Sequence, residues 1–483
     1  MANIILVKPS KDKKLIFEHT HPLGIMYIAS YIKHKNNSHN VRIIDMAVER
    51  KFYDDIRSEI KTFQPDIVGI SALTPEATAV HQLAEKIKKD FGKCKIVVGG
   101  PYATSAPKKV LKNPCVDYAV IGEGEVTMLE LIERINQTRR SLHELSDIKG
   151  IAYIQDGNYI QTEPREYIED LDSLPFPAWE MIPQEKYYSP GVISESKTQY
   201  YKRYMSIFTS RGCPYGCIYC HNIFGKRFRP RSAENVFSEI KTLCENYDLH
   251  EVHLLDDTFN INKARVLELC NYLKRSGLQL KLSFPNGLRG DILDEENIDA
   301  LCEAGMYSLA LGIESGSERI QKSINKNINL QKLKHSIDYL YKKKVVTHGF
   351  FMVGFPEETE EDILQTIAFA RDSKLTTASF HSLIPFEGTP LYQNAIAQKG
   401  MDINFSAFSH DFKAIDINLS ATEDKEILKL IKKAYWDFFG NVRRLWNIFI
   451  MSPKKGYIFK LALFYVLFDK RLFNLRNPFR KRS

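Results

Sequence analysis

Three cysteines close together in one loop limit what this chain can be. Cys213, Cys217 and Cys220 lie in the run Ser210-Arg-Gly-Cys-Pro-Tyr-Gly-Cys-Ile-Tyr-Cys-His221, a Cys-x3-Cys-x2-Cys spacing. A glycine- and proline-rich loop of this kind wraps one face of a metal centre and offers three thiolates. On a [4Fe–4S] cluster that leaves one iron without a protein ligand and open to a small molecule. The competing reading is structural zinc, which wants a closed tetrahedral set such as Cys3His. His221 would have to be the fourth donor, but adjacent residues rarely face one ion and zinc motifs usually come as two spaced pairs.

The other five cysteines, at 94, 115, 244, 270 and 302, are scattered singly and form no disulfide framework. The opening Met-Ala-Asn-Ile-Ile-Leu-Val-Lys reads as a strand rather than a signal peptide. A reducing, cytoplasmic location is expected. With 483 residues, 44% of them apolar, the chain is globular and long enough for two or three domains. The net charge of +8 is concentrated at one end: residues 441–483 hold eleven Lys/Arg against Asp469 alone, so the preceding 440 residues sum to −2. Nucleic acid is therefore not expected as a partner of the body. The basic end follows an apolar run of 12 residues, Tyr457–Phe468, interrupted by Lys460. It is too short to span a bilayer, which takes about 20 residues. It suits either a peripheral membrane contact or packing on the protein body.

Residues 1–140 alternate apolar runs (Ile4–Val7, Val41–Asp45, Ile67–Ala72, Lys95–Gly100, Tyr118–Ile121) with amphipathic stretches near 24–35, 52–63, 76–91 and 126–138. This order predicts a Rossmann-like, doubly wound parallel sheet with ligands at the carboxyl ends of its strands. Residues 141–200 read as a linker with a small β element, a hairpin turning at Asp156-Gly157, and then an extended crossing, Asp170–Trp179. Residues 201–395 alternate again, with strands at Tyr204–Thr209, Glu251–Leu255, Leu280–Pro285, Ser308–Ile313, Val345–Val353 and Ala378–Ile384. Six βα units make a partial (β/α)6 TIM-type barrel, with the cysteine loop after the first strand, at the mouth. Residues 396–483 form a helical C-terminal extension. Its stretch Thr422–Phe439 sets Ile427, Leu430, Ile431, Ala434 and Phe438 on one side and is expected to cover the barrel mouth or the substrate channel.

The cysteine spacing, with Tyr219 just before the last cysteine, resembles the radical S-adenosylmethionine (radical SAM) enzymes. The N-terminal loops resemble the cobalamin-binding domains of their B12-dependent class: His21-Pro-Leu-Gly24, Asp45, Ser71-Ala-Leu73, Val98-Gly-Gly-Pro-Tyr102 and Gly122-Glu-Gly-Glu125. The resemblance covers about residues 1–395 and includes the methylases and oxidative cyclases of that class. It implies an enzyme in which Cys213, Cys217 and Cys220 hold a [4Fe–4S] cluster whose open iron chelates SAM. One electron then breaks the C–S bond to give a 5′-deoxyadenosyl radical. It implies SAM contacts from Tyr219, Asp256, Asp257, Asn286, Glu314, Ser315 and Gly354. Of these, Asp256 and Asp257 stand where the family more often has Gly-Gly-Glu, which weakens a side-chain role for either. It implies a cobalamin site at Leu23, Gly24, Asp45, Ser71, Leu73, Thr74, Gly99, Gly100, Gly122 and Glu123.

Corrinoid domains that ligate cobalt from below use Asp-x-His-x-x-Gly. Aligned on Asp45, Ala47 falls at the histidine and Arg50 at the glycine, so no imidazole is offered there. Methylation of an unactivated carbon is the expected reaction, with a flavodoxin- or ferredoxin-type electron donor and a small-molecule or lipid substrate. An oxidative cyclisation would use the same parts without methyl transfer, and a corrinoid or redox sensor would use them without turnover. A methylthiotransferase needs three more N-terminal cysteines, where this chain has Cys94 and Cys115 alone. The run Lys226-Arg-Phe-Arg-Pro-Arg231 reads either as a site for SAM's carboxylate, an anionic substrate or an acidic donor, or as a solvated charge run.

Overall fold

A computed structural model describes residues 1–10, 20–137, 145–188, 199–221, 223–399, 415 and 417–453. Five apolar segments, β1 (Asn3–Lys8), β2 (Asn40–Asp45), β3 (Ile67–Ser71), β4 (Lys95–Gly99) and β5 (Tyr118–Val120), pair in the parallel order β2-β1-β3-β4-β5. The strands inside the edge strand β2, which exposes Asn40 and Arg42, bury both faces, so alternate residues feed two cores. Ile4 and Leu6 pack with the helices Leu23–Lys35 and Gly124–Gln137, while Ile5 and Val7 pack with Tyr53–Phe63 and Ala77–Asp90. The strand order reverses at β1 and β3, the switch point where such sheets open a crevice. The hairpin β6 (Ile151–Gln155) and β7 (Asn158–Gln161), read from sequence as part of the linker, extends this same sheet: β6 runs antiparallel to β5 and continues its hydrogen bonding.

The crossing segment then ties the two halves together. Ala178 N–H donates to the Met26 carbonyl, and Trp179 Nε1 donates to Glu239 Oε1. Beyond it, β8 (Met205–Ile207) begins the second sheet. A two-residue ladder of β9 (Ser210–Arg211) and β10 (Arg229–Pro230) brackets the cysteine loop. The sheet continues through β11 (Glu251–Leu254), β12 (Lys281–Leu288), β13 (Met306–Glu314), β14 (Val346–Val353) and β15 (Thr377–Ser382). The order β8-β11-β12-β13-β14-β15 is parallel throughout, with β8 and β15 at opposite edges, so the barrel is open, as expected of six units.

Helix Asp424–Phe439 buries the five residues expected of it. It does not cover the mouth. It packs on the outer helix Glu360–Asp372 and on β15, where the Phe380 N–H donates to the Tyr435 hydroxyl. Phe380 faces outward from the barrel, and Phe438 and Tyr435 close over it. The apolar and basic segment 457–483 lies outside the described residues.

The two domains meet at a buried ion network. Glu123 and Glu125, after β5, receive Arg211 at 3.0 and 2.6 Å, and Glu123 also receives Arg229 at 2.9 Å; all four side chains are almost fully buried. Burial works against the charge on Glu123, but Arg211, Arg229 and the Ile168 N–H hold its carboxyl below the usual range. Removing one partner would leave a buried guanidinium uncompensated. Glu123→Ala is expected to cost about 3–5 kcal/mol and Glu123→Gln less, read as a shift in the urea unfolding midpoint. Because the Glu123 pKa is depressed, its contribution is present above the unfolded carboxylate pKa and lost as pH falls through the folded one. The wild type should therefore converge on Glu123→Gln in acid.

Candidate functional site

The cysteine loop is shaped by one glycine and one carboxylate. Gly212 sits at φ +83°, and a Cβ there would lie 2.2 Å from the Arg227 carbonyl, so no other residue fits the turn into Cys213. Asp256 accepts from the Thr209 and Ser210 N–H groups and the Thr209 hydroxyl, each at 2.6 Å, and fixes the strand end from which the loop leaves. It is buried behind the cavity wall, so its expected SAM contact is corrected to a positioning role. The next residue, Asp257, is on the wall.

Cys213, Cys217 and Cys220 open onto a cavity of about 560 Å³ at the barrel mouth. All three are free thiols. Among the described residues, no three His, Cys, Asp or Glu side chains are gathered to hold a single metal ion. The three cysteines share one cavity wall while His221 lines the other cavity, so the donor set fits a cluster, in which each thiolate takes a different iron, better than a Cys3His zinc cage. Cys220 is pushed up to about 12 by burial in the cleft, by Asp257 and by its two neighbouring cysteines. Such crowded thiols ionise together when a cationic centre offsets their repulsion.

The cavity wall combines charged and apolar side chains. Near the cysteines, Lys326 Nζ donates to Glu314 Oε1 at 2.9 Å and to the Tyr219 hydroxyl at 3.0 Å. Burial opposes the charge on Lys326, but Glu314, Cys217 and Cys220 keep it cationic. Glu314 reaches this place through a register shift in β13 after Gly312 and a left-handed backbone, φ +67°. The same shift turns Ser315 away. Ser315 is fully buried, bonded to the Thr366 hydroxyl and the Ser317 N–H, and its expected SAM contact is corrected accordingly. Gly354 is likewise absent from the wall. Its N–H donates to Glu358 at 2.6 Å and shapes the turn after β14. Arg289 stacks on Tyr215 at 3.8 Å while paired to Asp291, and so braces the cysteine loop. The rest of the wall includes Phe350, Met352, Leu383, Ile384 and Phe386, with His381 among them, and Phe350 is the register partner of Gly312 beside Lys326. Lys326 and His381 were not singled out from sequence. The turn residues Asn325 and Asn327, both left-handed, were the available signal for Lys326.

A second cavity, about 1110 Å³, lies between the strand ends of the first sheet and the barrel. Leu23, Gly24, Asp45, Ser71, Leu73, Gly99, Gly100, Gly122 and Glu123 line it; Thr74 does not, being turned into the short helix that follows β3. Gly100 is left-handed, and a Cβ there would lie 2.7 Å from the Ser71 hydroxyl, so the rim admits a ligand against bare backbone. The Glu123 carboxylate is consumed by Arg211 and Arg229, and the Asp45 carboxylate by the Tyr187 hydroxyl and two N–H groups. Both act as wall rather than as free acceptors. A cavity of this size, rimmed by glycine at the strand ends, fits a corrinoid. Ala47 and Arg50 are on its wall, and so is an imidazole from another loop, His21. His21 is stacked on Tyr187, bonded to the Ser206 hydroxyl at 3.1 Å, and leaves Nε2 without a partner. Burial and the nearby His253 lower its pKa to about 3, so it is neutral.

Asp257 and Asn286 line both cavities. The basic run is not a solvated patch: Arg229 and Arg231 are buried and paired to Glu123 and Glu239, and only Lys226 and Arg227 face outward.

Residues 207–370 match the model of the Radical SAM superfamily, and residues 16–132 that of the B12 binding domain. The chain is 33% identical to an uncharacterised methyltransferase of Pyrococcus horikoshii over 96% of its own length and 97% of the relative's. It is 29% identical to the anaerobic magnesium-protoporphyrin IX monomethyl ester cyclase of Rubrivivax gelatinosus, over 87% of this chain and 74% of that one. Its fold matches the radical S-adenosylmethionine methyltransferase TsrM of Kitasatospora setae with a TM-score of 0.68 at 18% identity, covering 82% and 76% of the two chains.

The turn after β14 supplies a pH test. Glu358 is buried and its carboxyl is pushed up to about 7, from 4.5, against the N–H groups of Gly354 and Phe355. The folded state then binds a proton more tightly than the unfolded one, so stability falls as pH rises from 4.5 to about 7. Glu358→Gln is expected to flatten that fall and to unfold at higher denaturant than the wild type at alkaline pH.

Proposed function

This chain belongs to the radical SAM enzymes that carry a B12-binding domain, and we propose that it methylates an unactivated carbon of a small substrate held against the apolar side chains of the barrel cavity. Its cofactors are accordingly a [4Fe–4S] cluster, SAM and cobalamin, which together supply a hydrogen-abstracting radical and a transferable methyl group. Cys213, Cys217 and Cys220 would hold the cluster. Lys326 and Glu314, paired beside the cysteines, would receive the carboxylate and amino ends of SAM, with Tyr219 keeping the lysine in place. The glycine rim of the larger cavity would hold cobalamin, with Leu23, Ser71 and Leu73 against it. Phe350, Met352 and Phe386 would exclude water from the substrate carbon, and His381 would meet a polar group beside it.

The observation that carries this reading is the pair Asp257 and Asn286, which belong to the walls of both cavities. Two cofactors can act on one carbon only if their sites meet, and a wall shared by the two cavities supports that arrangement. The naming of the Pyrococcus relative supports methyl transfer, and that of the Rubrivivax relative supports oxidative cyclisation in the same geometry. Lys226 and Arg227, outward beside the cysteine loop, suit an acidic flavodoxin- or ferredoxin-type donor in a reducing cytoplasm.

The anaerobically reconstituted enzyme, given SAM, reductant and cobalamin, is expected to form 5′-deoxyadenosine together with S-adenosylhomocysteine, the mark of methyl leaving SAM. Cys213→Ala should abolish 5′-deoxyadenosine. Deoxyadenosine without S-adenosylhomocysteine would favour the cyclase reading, and tight SAM binding with neither product would favour a sensor. Lys326→Met should weaken SAM binding by roughly tenfold to a hundredfold, the scale of one lost charge-assisted contact, read by calorimetry on the cluster-loaded protein.

A further inference from the structure

The second C-terminal helix, Val442–Met451, is inverted relative to an ordinary surface helix. Its face toward the body is partly polar: Arg444 is buried and donates to the carbonyls of Phe438, Arg371 and Ser373, and Asn447 donates to the Tyr341 hydroxyl. Its outward stripe is Val442, Leu445, Trp446, Phe449 and Ile450, at the spacing i, i+3, i+4, i+7, i+8 that normally marks a core face. Trp446 is 61% exposed and Val442 79%. Trp436, 69% exposed on the preceding helix, lies beside the Gly440 turn from which this helix starts. Six of the large apolar side chains exposed on the described surface therefore fall within residues 436–450, where scattered single ones are the norm.

We propose that this stripe docks on an anionic lipid surface. Two features select lipid over a protein partner. The stripe carries Trp446 and Phe449, and Trp436 adjoins it from the preceding helix, so two of the chain's three tryptophans, residues that settle at membrane–water boundaries, lie exposed here. Residues 441–483 also carry eleven Lys/Arg against one acid, whereas the rest of the chain is slightly acidic. That charge complements an anionic leaflet and is repelled by a second copy of itself. Among the described residues no helix is long and apolar enough to cross a membrane, so the contact is interfacial. Arg444 fixes the helix to the body, so docking the stripe would hold the whole enzyme at the surface.

The test uses the full chain and vesicles. It should co-float with vesicles containing about 30% phosphatidylglycerol and much less with phosphatidylcholine alone, and the binding should weaken as salt approaches about 0.5 M. The emission of Trp436 and Trp446 should shift to the blue, while Trp179, buried at the domain junction, does not report. A Trp446→Glu, Phe449→Glu variant should partition on the order of tenfold less while folding normally and retaining 5′-deoxyadenosine formation in solution. Reversing Arg480, Lys481 and Arg482 to Glu should lower binding to anionic vesicles only. The proposal is overturned if vesicles leave the tryptophan emission unchanged. It is also overturned if the double variant binds like the wild type, or if the stripe proves to join two copies in light scattering.

Discussion

The arrangement depends on Arg211. Its guanidinium is buried two residues before Cys213, and its partners, Glu123 and Glu125, come from the far domain. Tyr27 and Phe224 lie near its faces at 5.2 and 5.5 Å, so it is enclosed by rings and carboxylates alike. A charge so deeply buried is stable only while its partners stay in place. The cysteine loop consequently cannot slide against the strand ends of the first sheet without exposing or unpairing it. Arg229 repeats the constraint from the other side of the loop, because β9 and β10 are bonded to each other and both arginines meet Glu123. The two cofactor cavities are thereby held in one fixed relation, which chemistry shared between two cofactors needs.

The strands and the cysteine loop could be read directly from sequence, for different reasons. Strands buried on both faces are continuous apolar runs, and β1, β3 and β4 are such runs, β3 ending on serine and β4 on glycine. The cysteines could be read because their spacing is itself the geometry. What failed to show in sequence was which of two adjacent residues faces the cavity. Asp256 and Asp257 are chemically alike, and only the side of the strand end decides that one braces Thr209 while the other meets both cavities. Glu314 and Ser315 differ by the same single step, set by a register shift that no local pattern announces.

The basic run shows the converse failure. Lys226, Arg227, Arg229 and Arg231 look equivalent in one dimension, yet pairing in β10 turns Arg229 inward, and Arg231 follows it. Their partners lie far along the chain, at Glu123, or on the next helix, at Glu239. Buried charge is specified by the partner, and the partner is a tertiary fact. Lys326 escaped notice for that reason: it lies in a short turn and gains meaning only from Glu314 and Tyr219.

The room in the barrel cavity follows from the openness of the barrel. β8 and β15 are its two edges, and the strands nearest the second edge present Phe350, Met352 and His381 to the interior without a seventh and eighth strand to cover them. A closed eight-stranded barrel fills its interior with its own side chains. Six strands leave that space, walled by rings and a thioether together with Lys326, Glu314 and the cysteines. A zwitterion such as the amino-acid end of SAM would gain from fixed charges such as Lys326 and Glu314 in place of its hydration. A substrate carbon with no activating group would gain only from being desolvated and held close. The helix Asp424–Phe439 stiffens this wall from outside by packing on Phe380 of β15. It is the element from which the outward-facing apolar stripe of Val442–Met451 continues.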